Sequence, residues 1–324
     1  MNDTIYLAPM HGVTDYYFRN VYATYFTGID LAISPFIDLL PGQSVKKSQI
    51  RGLLQENNER MPVIPQIMGN VADDFIFLAT YLHDLGYDHI NWNLGCPYRM
   101  VVKRKRGAGL LPHPELIEAF LEKVIPAIPA KLSIKLRLGL NSADEIEHVI
   151  PVLNRYPLTD VTIHPRIATQ LYDGDVDMDA FERSAAQLNA PIVYNGDIVA
   201  VEGFQALRQR FPDINRWMIG RGVIRNPFLP ALLKGVTIAA DRQFEIFVEY
   251  HQALFETVTQ VMAGPGHLLN KMKEYWSAFS ESFENGRKVF KLIKKVNSVP
   301  AFQRATDEIF QKYRWLTGTD NTPS

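Results

Sequence analysis

The 324-residue chain contains one cysteine, Cys96. A single thiol excludes an intramolecular disulfide and any cysteine-rich metal centre, and it suits a reducing compartment. No apolar run approaches the roughly 18 residues that a membrane span requires. The N-terminal Met1-Asn2-Asp3-Thr4 runs into an apolar segment without the basic and small-residue regions of a secretory signal, so a cytoplasmic protein is expected. Excess charge of either sign is also missing: 34 Lys and Arg against 35 Asp and Glu leave a net charge of −1. Any nucleic-acid contact must therefore come from local clusters of basic residues. The Gly-x-Gly-x-x-Gly fingerprint of a dinucleotide fold is absent, as are low-complexity segments and short-period repeats.

What is present is 47% hydrophobic residues, enough for a large core. Short β-rich runs occur at Ile5-Ala8, Leu31-Ser34, Val63-Ile67, His89-Asn93, Leu132-Leu136, Asp160-His164, Ile192-Asn195 and Trp217-Gly220. Segments of helical length and period separate most of them, including Ala72-Leu85, Pro114-Ile125, Ala143-Asn154 and Val201-Phe211. Eight such alternations predict an α/β fold of the TIM (β/α)8 barrel type. The pattern weakens only between Asp38 and Arg60, which is polar and hard to assign. From Arg242 to Tyr313 the period is helical throughout, broken at Ala263-Gly264-Pro265-Gly266 and Glu284-Asn285-Gly286. The expected division is a catalytic barrel over 1–238, an all-α helical-bundle domain over 239–316 and a polar tail over 317–324, in a monomeric protein.

Barrel enzymes place their chemistry where strands run out into βα loops. Here those positions are polar: Ala8-Pro9-Met10-His11-Gly12, Gln66, Asn93-Leu94-Gly95-Cys96-Pro97, Lys135 with Arg137, His164-Pro165-Arg166, Asn195-Gly196-Asp197 and Gly220-Arg221-Gly222. The last two turns feed helix N-termini and match the usual phosphate site of the fold. Lone cysteines are more often small buried hydrophobes than catalysts. Cys96, however, sits in a Gly-Cys-Pro turn after a strand, where its side chain can face the barrel mouth. A thiol of ordinary pKa is protonated at neutral pH, which suits a general acid. Its rival role is a nucleophile, with His11 or His164 as base. Lys135 reads as a Schiff-base lysine, a buried structural cation or a cation facing a cofactor, and the convergence of polar strand ends favours the last.

Ala8 to Asp15, Asn93 to Pro97, Gly107 to Leu111, Asn195 to Asp197 and Ile219 to Gly222 occur in the order and spacing of the tRNA-dihydrouridine synthases, and the chain resembles that family over residues 5 to 315. The segment Lys271 to Ser277 and the run into Asn297-Ser298 look most like the bacterial C-type enzymes. The resemblance implies that FMN lies against Pro9, Met10 and His11, with Gln66 and Lys135 at its polar edge. It implies further that His164, Asn195, Gly196, Asp197, Gly220 and Arg221 hold the ribityl chain and phosphate. NADPH or NADH would reduce FMN and leave. The flavin would then pass a hydride to C6 of a tRNA uracil oriented by Asn93, while Cys96 protonates C5. No metal is implied. Arg166, Tyr172, Lys271, Lys273 and Lys294 would touch tRNA, and the family similarity keeps Arg166, Gln170 and Tyr172 in place.

Two basic clusters are candidates for RNA contact. Arg287, Lys288, Lys291, Lys294 and Lys295 recur at helical spacing, and Lys103-Arg104-Lys105-Arg106 follows Cys96 closely. The ordinary reading of the first is a solvated helix face. The chain departs from the pattern of the family it resembles at Lys105-Arg106, at Pro165 where Gly is usual, and at Asp38 where the C-type enzymes tend to carry Arg. A flavin barrel acting on a small pyrimidine-like molecule would explain the strand ends without the helical tail. A non-catalytic RNA-binding barrel would explain the basic faces without Cys96.

Overall fold

A computed structural model describes residues 3–316; the polar tail over 317–324 lies outside them. Eight parallel strands form the barrel. They are β1 (Thr4–Leu7), β2 (Leu31–Ile33, resuming at Ile37–Asp38), β3 (Val63–Ile64, resuming at Gln66–Met68), β4 (His89–Leu94), β5 (Lys131–Gly139), β6 (Val161–Ile167), β7 (Ile192–Tyr194) and β8 (Arg216–Ile219). β1 pairs with both β2 and β8, and the two halves of β2 pair with the two halves of β3, so the sheet closes on itself. Pro65 and the Ser34-Pro35-Phe36 step interrupt the two split strands, because proline has no N–H for the ladder. In place of a long helix, the second βα connection holds only the turns Lys47–Ile50, Arg51–Leu53 and Gln55–Asn57.

Strand alternation decides what the barrel encloses. On β4, Ile90, Trp92 and Leu94 join the main apolar core beneath the outer helices, leaving Asn91 and Asn93 to face inward. Register pairs Gln66 with Asn91, Asn91 with Ser133, Asn93 with Lys135, Lys135 with Thr162, and Arg137 with His164. One half of the interior is thus a layered polar surface from β3 to β6. The other half is the small apolar cluster of Tyr6, Ala8, Ile33, Val193 and Met218 on β1, β2, β7 and β8.

Beyond the barrel, helices span Ala240–Val261, Pro265–Phe279, Gly286–Lys294 and Val299–Lys312. The first buries Phe247, Tyr250, Leu254 and Val258 along one stripe. It ends before Gly264, whose φ of +85° turns the chain so that Pro265 can open the next helix. This helical region packs on the barrel through Phe26 against Tyr250 at 4.8 Å and Phe18 against Tyr275 at 5.6 Å. Tyr275 donates its hydroxyl to the Val13 carbonyl at 3.1 Å, and Ser282 donates to that of Arg225. The barrel and the helices therefore share one continuous core.

Candidate functional site

At the carboxyl ends of the strands lies a cavity of about 310 Å³. Its walls bring together Pro9, Met10, His11, Asn93, Cys96, Lys135, His164, Asn195, Gly196, Asp197, Gly220 and Arg221, with Tyr172, expected to touch tRNA, beside them. They also include residues not singled out from sequence: Phe36 after the first half of β2, Tyr98 beyond Cys96, and Glu274 from the helical region.

The Cys96 loop is held from three sides. Asn93 Oδ1 accepts the backbone N–H groups of Gly95 at 3.0 Å and Cys96 at 2.9 Å. Arg137 Nε donates to the Gly95 carbonyl at 3.1 Å, and the Ala108 N–H donates to the Cys96 carbonyl at 3.1 Å. Gly107, at φ +54°, backs onto the loop so closely that a Cβ there would stand 2.9 Å from that of Cys96. Burial pushes the Cys96 thiol above its ordinary pKa; the Tyr98 N–H and Arg137 pull it down, and the Asp38 carboxylate adds to the rise. With no histidine in hydrogen-bond reach of the sulfur among the described residues and the thiol kept protonated, the arrangement suits a proton donor rather than a thiolate nucleophile.

Behind Asn93 runs a buried amide relay. Asn93 Nδ2 donates to Gln66 Oε1 at 2.8 Å, Gln66 Nε2 to Asn91 Oδ1 at 2.8 Å, and Asn91 Nδ2 to Ser133 at 2.9 Å. The structure thus places Gln66 away from the position expected of it. It is fully buried below the cavity, where it orients Asn93 instead of lining the wall.

Cations dominate the opposite wall. Lys135 is partly buried and makes no side-chain hydrogen bond or ion pair among the described residues. Burial, then the nearby Arg137, push its pKa down to about 7. His164 is held well below its ordinary pKa by burial and then by Lys135, Arg137, Arg166 and Arg221, so its ring is neutral. Its Nε2 lies 3.2 Å from Arg166 Nη1, which can only donate; Nδ1 therefore carries the proton.

Arg166 departs from its expected contact with tRNA. It is 2% exposed, and its donors are taken by the Gly174 carbonyl, His164 and both oxygens of Asp197. Asp197 also accepts from Arg221 at 2.8 Å. Burial alone would raise the Asp197 carboxyl, but Arg166 and then Arg221 hold it below the ordinary value. Its carboxylate consequently aims Arg221 rather than meeting an anion itself. Tyr172, 53% exposed, lies between Arg137 at 5.4 Å and Arg221 at 5.1 Å from its ring centre.

Two of the three expected tRNA lysines are engaged within the protein. Lys271 bonds the Gly12 carbonyl and, at 2.6 Å, Glu274, which fastens the β1 loop to the helical region. Lys273 donates to the Val296 carbonyl at 2.6 Å. Lys294 is exposed. All three nonetheless line one open depression with His267, Asn270 and Ser277. Of the tetrad after Cys96, Lys103, Arg104 and Lys105 are exposed, and Asn70 pins the loop through the carbonyls of Arg104 and Lys105.

The glycines at the β7 and β8 ends test whether a flat ligand with an anionic tail fits. A Cβ on Gly220 would rest in contact with Ala8 and Met10 Sδ at 3.4 Å, and one on Gly196 would stand 3.0 Å from the Tyr194 hydroxyl. Together with Lys135, which has no partner among the described residues, and the Arg221 donors that Asp197 leaves over, these turns stand where the fold usually binds a phosphate, and the residues fit a cofactor with an anionic tail. Among the described residues, no group of three or more His, Cys, Asp or Glu side chains is placed to hold a metal ion.

The chain is similar to known proteins over most of its length. The chain is 29% identical over 231 residues to tRNA-dihydrouridine synthase B of Pasteurella multocida, covering 71% of this chain and 68% of that protein. It is 27% identical over 316 residues to the tRNA-dihydrouridine(16) synthase of Pseudomonas putida, covering 93% and 95%. Among solved structures, the old yellow enzyme homologue of Zymomonas mobilis shares the fold at a TM-score of 0.54 and 13% identity, over 72% of this chain and 89% of that one. The family model described as Dihydrouridine synthase (Dus) matches residues 6–314, and the chain belongs to that family.

Proposed function

We propose that this protein is an FMN-dependent tRNA-dihydrouridine synthase that reduces the 5,6 double bond of a D-loop uridine at the expense of NADPH or NADH. The observation that carries this reading is a protonated thiol, Cys96, at the mouth of a cavity lined by cations and tight glycine turns. FMN, when bound, would supply the hydride that C6 of the uracil receives. Cys96 Sγ gives its proton to C5, and burial keeps that proton in place until the base arrives. Asn93 fixes the Cys96 loop with its Oδ1 and gives one amide N–H to Gln66, and the second N–H is the donor left for the uracil edge. His164 holds its Nδ1 proton, and Lys135 and Arg221 present positive charge to the cofactor.

The target base must leave its stack to enter, at a cost of a few kcal/mol. Exposed Lys294, the depression around it and Lys103 to Lys105 offer phosphate contacts that offset this cost. Alignment with the position-16 synthase runs through the helical region, which makes uridine 16 the first position to assay. The test is to reduce the purified protein with NADPH in the presence of unmodified tRNA and measure dihydrouridine, with Cys96→Ala as the control. A yellow protein whose mutant stays yellow and loses dihydrouridine supports the assignment. A colourless protein that takes up no added FMN refutes it, and a yellow one inert on every tRNA points to a small-molecule reductase.

A further inference from the structure

A second cavity, of about 780 Å³, opens beside the first. His11 and Phe36 line both, and their rings stack with centres 5.1 Å apart, 18° from parallel. This aromatic pair is therefore shared between two adjoining chambers. The second chamber is built from the irregular β2–β3 connection, the start of the Tyr16–Tyr25 helix, and Val261 and Met262 of the helical region. Tyr16 lines it with the Arg51 guanidinium 5.8 Å from its ring centre. Arg19, 1% exposed, forms part of the wall, and its Nε has no hydrogen-bond partner. The Asp38 carboxylate, also in the wall, makes no hydrogen bond or ion pair among the described residues.

We propose that this chamber is a second nucleotide subsite, which takes the base adjacent in the RNA to the one being reduced. The inference rests on the RNA reading of the first cavity and extends it. Aromatic rings between two chambers can stack a base on either side, which keeps the extruded base from returning to its neighbour. Lys47 and Arg51 supply charge for the linking phosphate. A carboxylate accepts hydrogen bonds, so Asp38 selects a base whose edge offers donors. Guanine, with its N1–H and 2-amino groups side by side, meets that requirement with two parallel bonds. Adenine and uracil present fewer donors beside an acceptor that the carboxylate repels.

The experiment measures steady-state dihydrouridine formation by the full-length holoenzyme with tRNA as varied substrate. Tyr16 gives the chamber a further aromatic face for the same base, so Tyr16→Ala should raise KM for tRNA about tenfold, the loss of one base–aromatic contact. NADPH-driven flavin reduction and kcat should change less than about twofold. The second variant is the near-isosteric Asp38→Asn, assayed on tRNA in which each D-loop guanosine in turn is replaced by inosine, which lacks the 2-amino group. The wild type should prefer guanosine over inosine at one position by about tenfold in kcat/KM, the value of a charge-assisted hydrogen bond. Asp38→Asn should bring that ratio close to one. Using a ratio cancels any effect of Asp38 on the Cys96 thiol. An active wild type with no inosine-sensitive position, or a Tyr16→Ala variant with unchanged KM, overturns the second subsite. A wild type that forms no dihydrouridine in any tRNA overturns the reading beneath it.

Discussion

Lys135 gives the sharpest test of how the cavity receives its cofactor. Its pKa in the folded protein is about 7, against an ordinary 10.5, because burial and Arg137 both disfavour its charge. At pH 9 only about one molecule in a hundred carries that charge. An anionic ligand that needs the ammonium must then bring in a proton, so its affinity falls about tenfold per pH unit above 7. From pH 7, where half the lysines are charged, to pH 9, the loss is about fiftyfold, or roughly 2.3 kcal/mol. The ligand phosphate, with its second ionisation near pH 6, is already doubly charged over this range. Flavin fluorescence titrations of the apoprotein between pH 7 and 9 should therefore show FMN binding weaken with a slope approaching one decade per unit. Lys135→Met should bind more weakly at pH 7 and show no slope. A wild-type dissociation constant that stays level across this range would refute the claim that Lys135 meets the cofactor as its charged form.

Other expectations follow from the same contacts. Cys96→Ala should keep NADPH-dependent flavin reduction and lose roughly 10²- to 10⁴-fold in dihydrouridine formation. Because the thiol must be protonated to act and burial raises its pKa, single-turnover dihydrouridine formation by the FMN-saturated protein should hold through neutral pH and fall only above the ordinary thiol range; a decline centred near neutrality would count against Cys96 as the acid. Arg166→Met removes the partner of a carboxylate and of a buried imidazole, and should lower stability in urea unfolding by about 3 kcal/mol, whereas a loss below about 1 kcal/mol would show that the network does not hold the site together. Lys294→Ala should reduce the slope of log affinity for tRNA against log salt by about one, while Lys271→Met should leave the slope unchanged, since that lysine is already bonded to Gly12 and Glu274; equal slopes in the two variants would refute the distinction.

Most of the barrel could be read from sequence because alternation within a strand is a local signal. Asn91 and Asn93 between Ile90, Trp92 and Leu94 announce which side of β4 is polar. The same parity at Ser133, Lys135 and Arg137, and again at Thr162, His164 and Arg166, could have shown that Arg166 turns into the barrel rather than out to RNA. The second connection was harder, since its short turns carry too few residues for a helical period. It is nevertheless where the second cavity lies. Lys271 and Glu274 were unreadable for a different reason. Their spacing predicts only a helical ion pair, whereas the bond to Gly12 spans 259 residues of chain and exists only after the helical region docks.

That docking links the two halves of the expected reaction. Lys271 and Tyr275 grip the carbonyls of Gly12 and Val13, and the residue before them, His11, separates the two cavities. Glu274, between the two gripping residues, stands in the wall of the first cavity. A helical region that served only to add positive surface could be joined by a flexible linker and still attract RNA, because attraction to phosphate needs proximity and little geometry. This one instead shares its core with the barrel and fixes the loop that carries His11. Under the proposed reading, RNA bound by the helices would thereby be held in a set orientation over Cys96, and a variant that loosens the Gly12 and Val13 contacts should lose more in kcat than in affinity for tRNA.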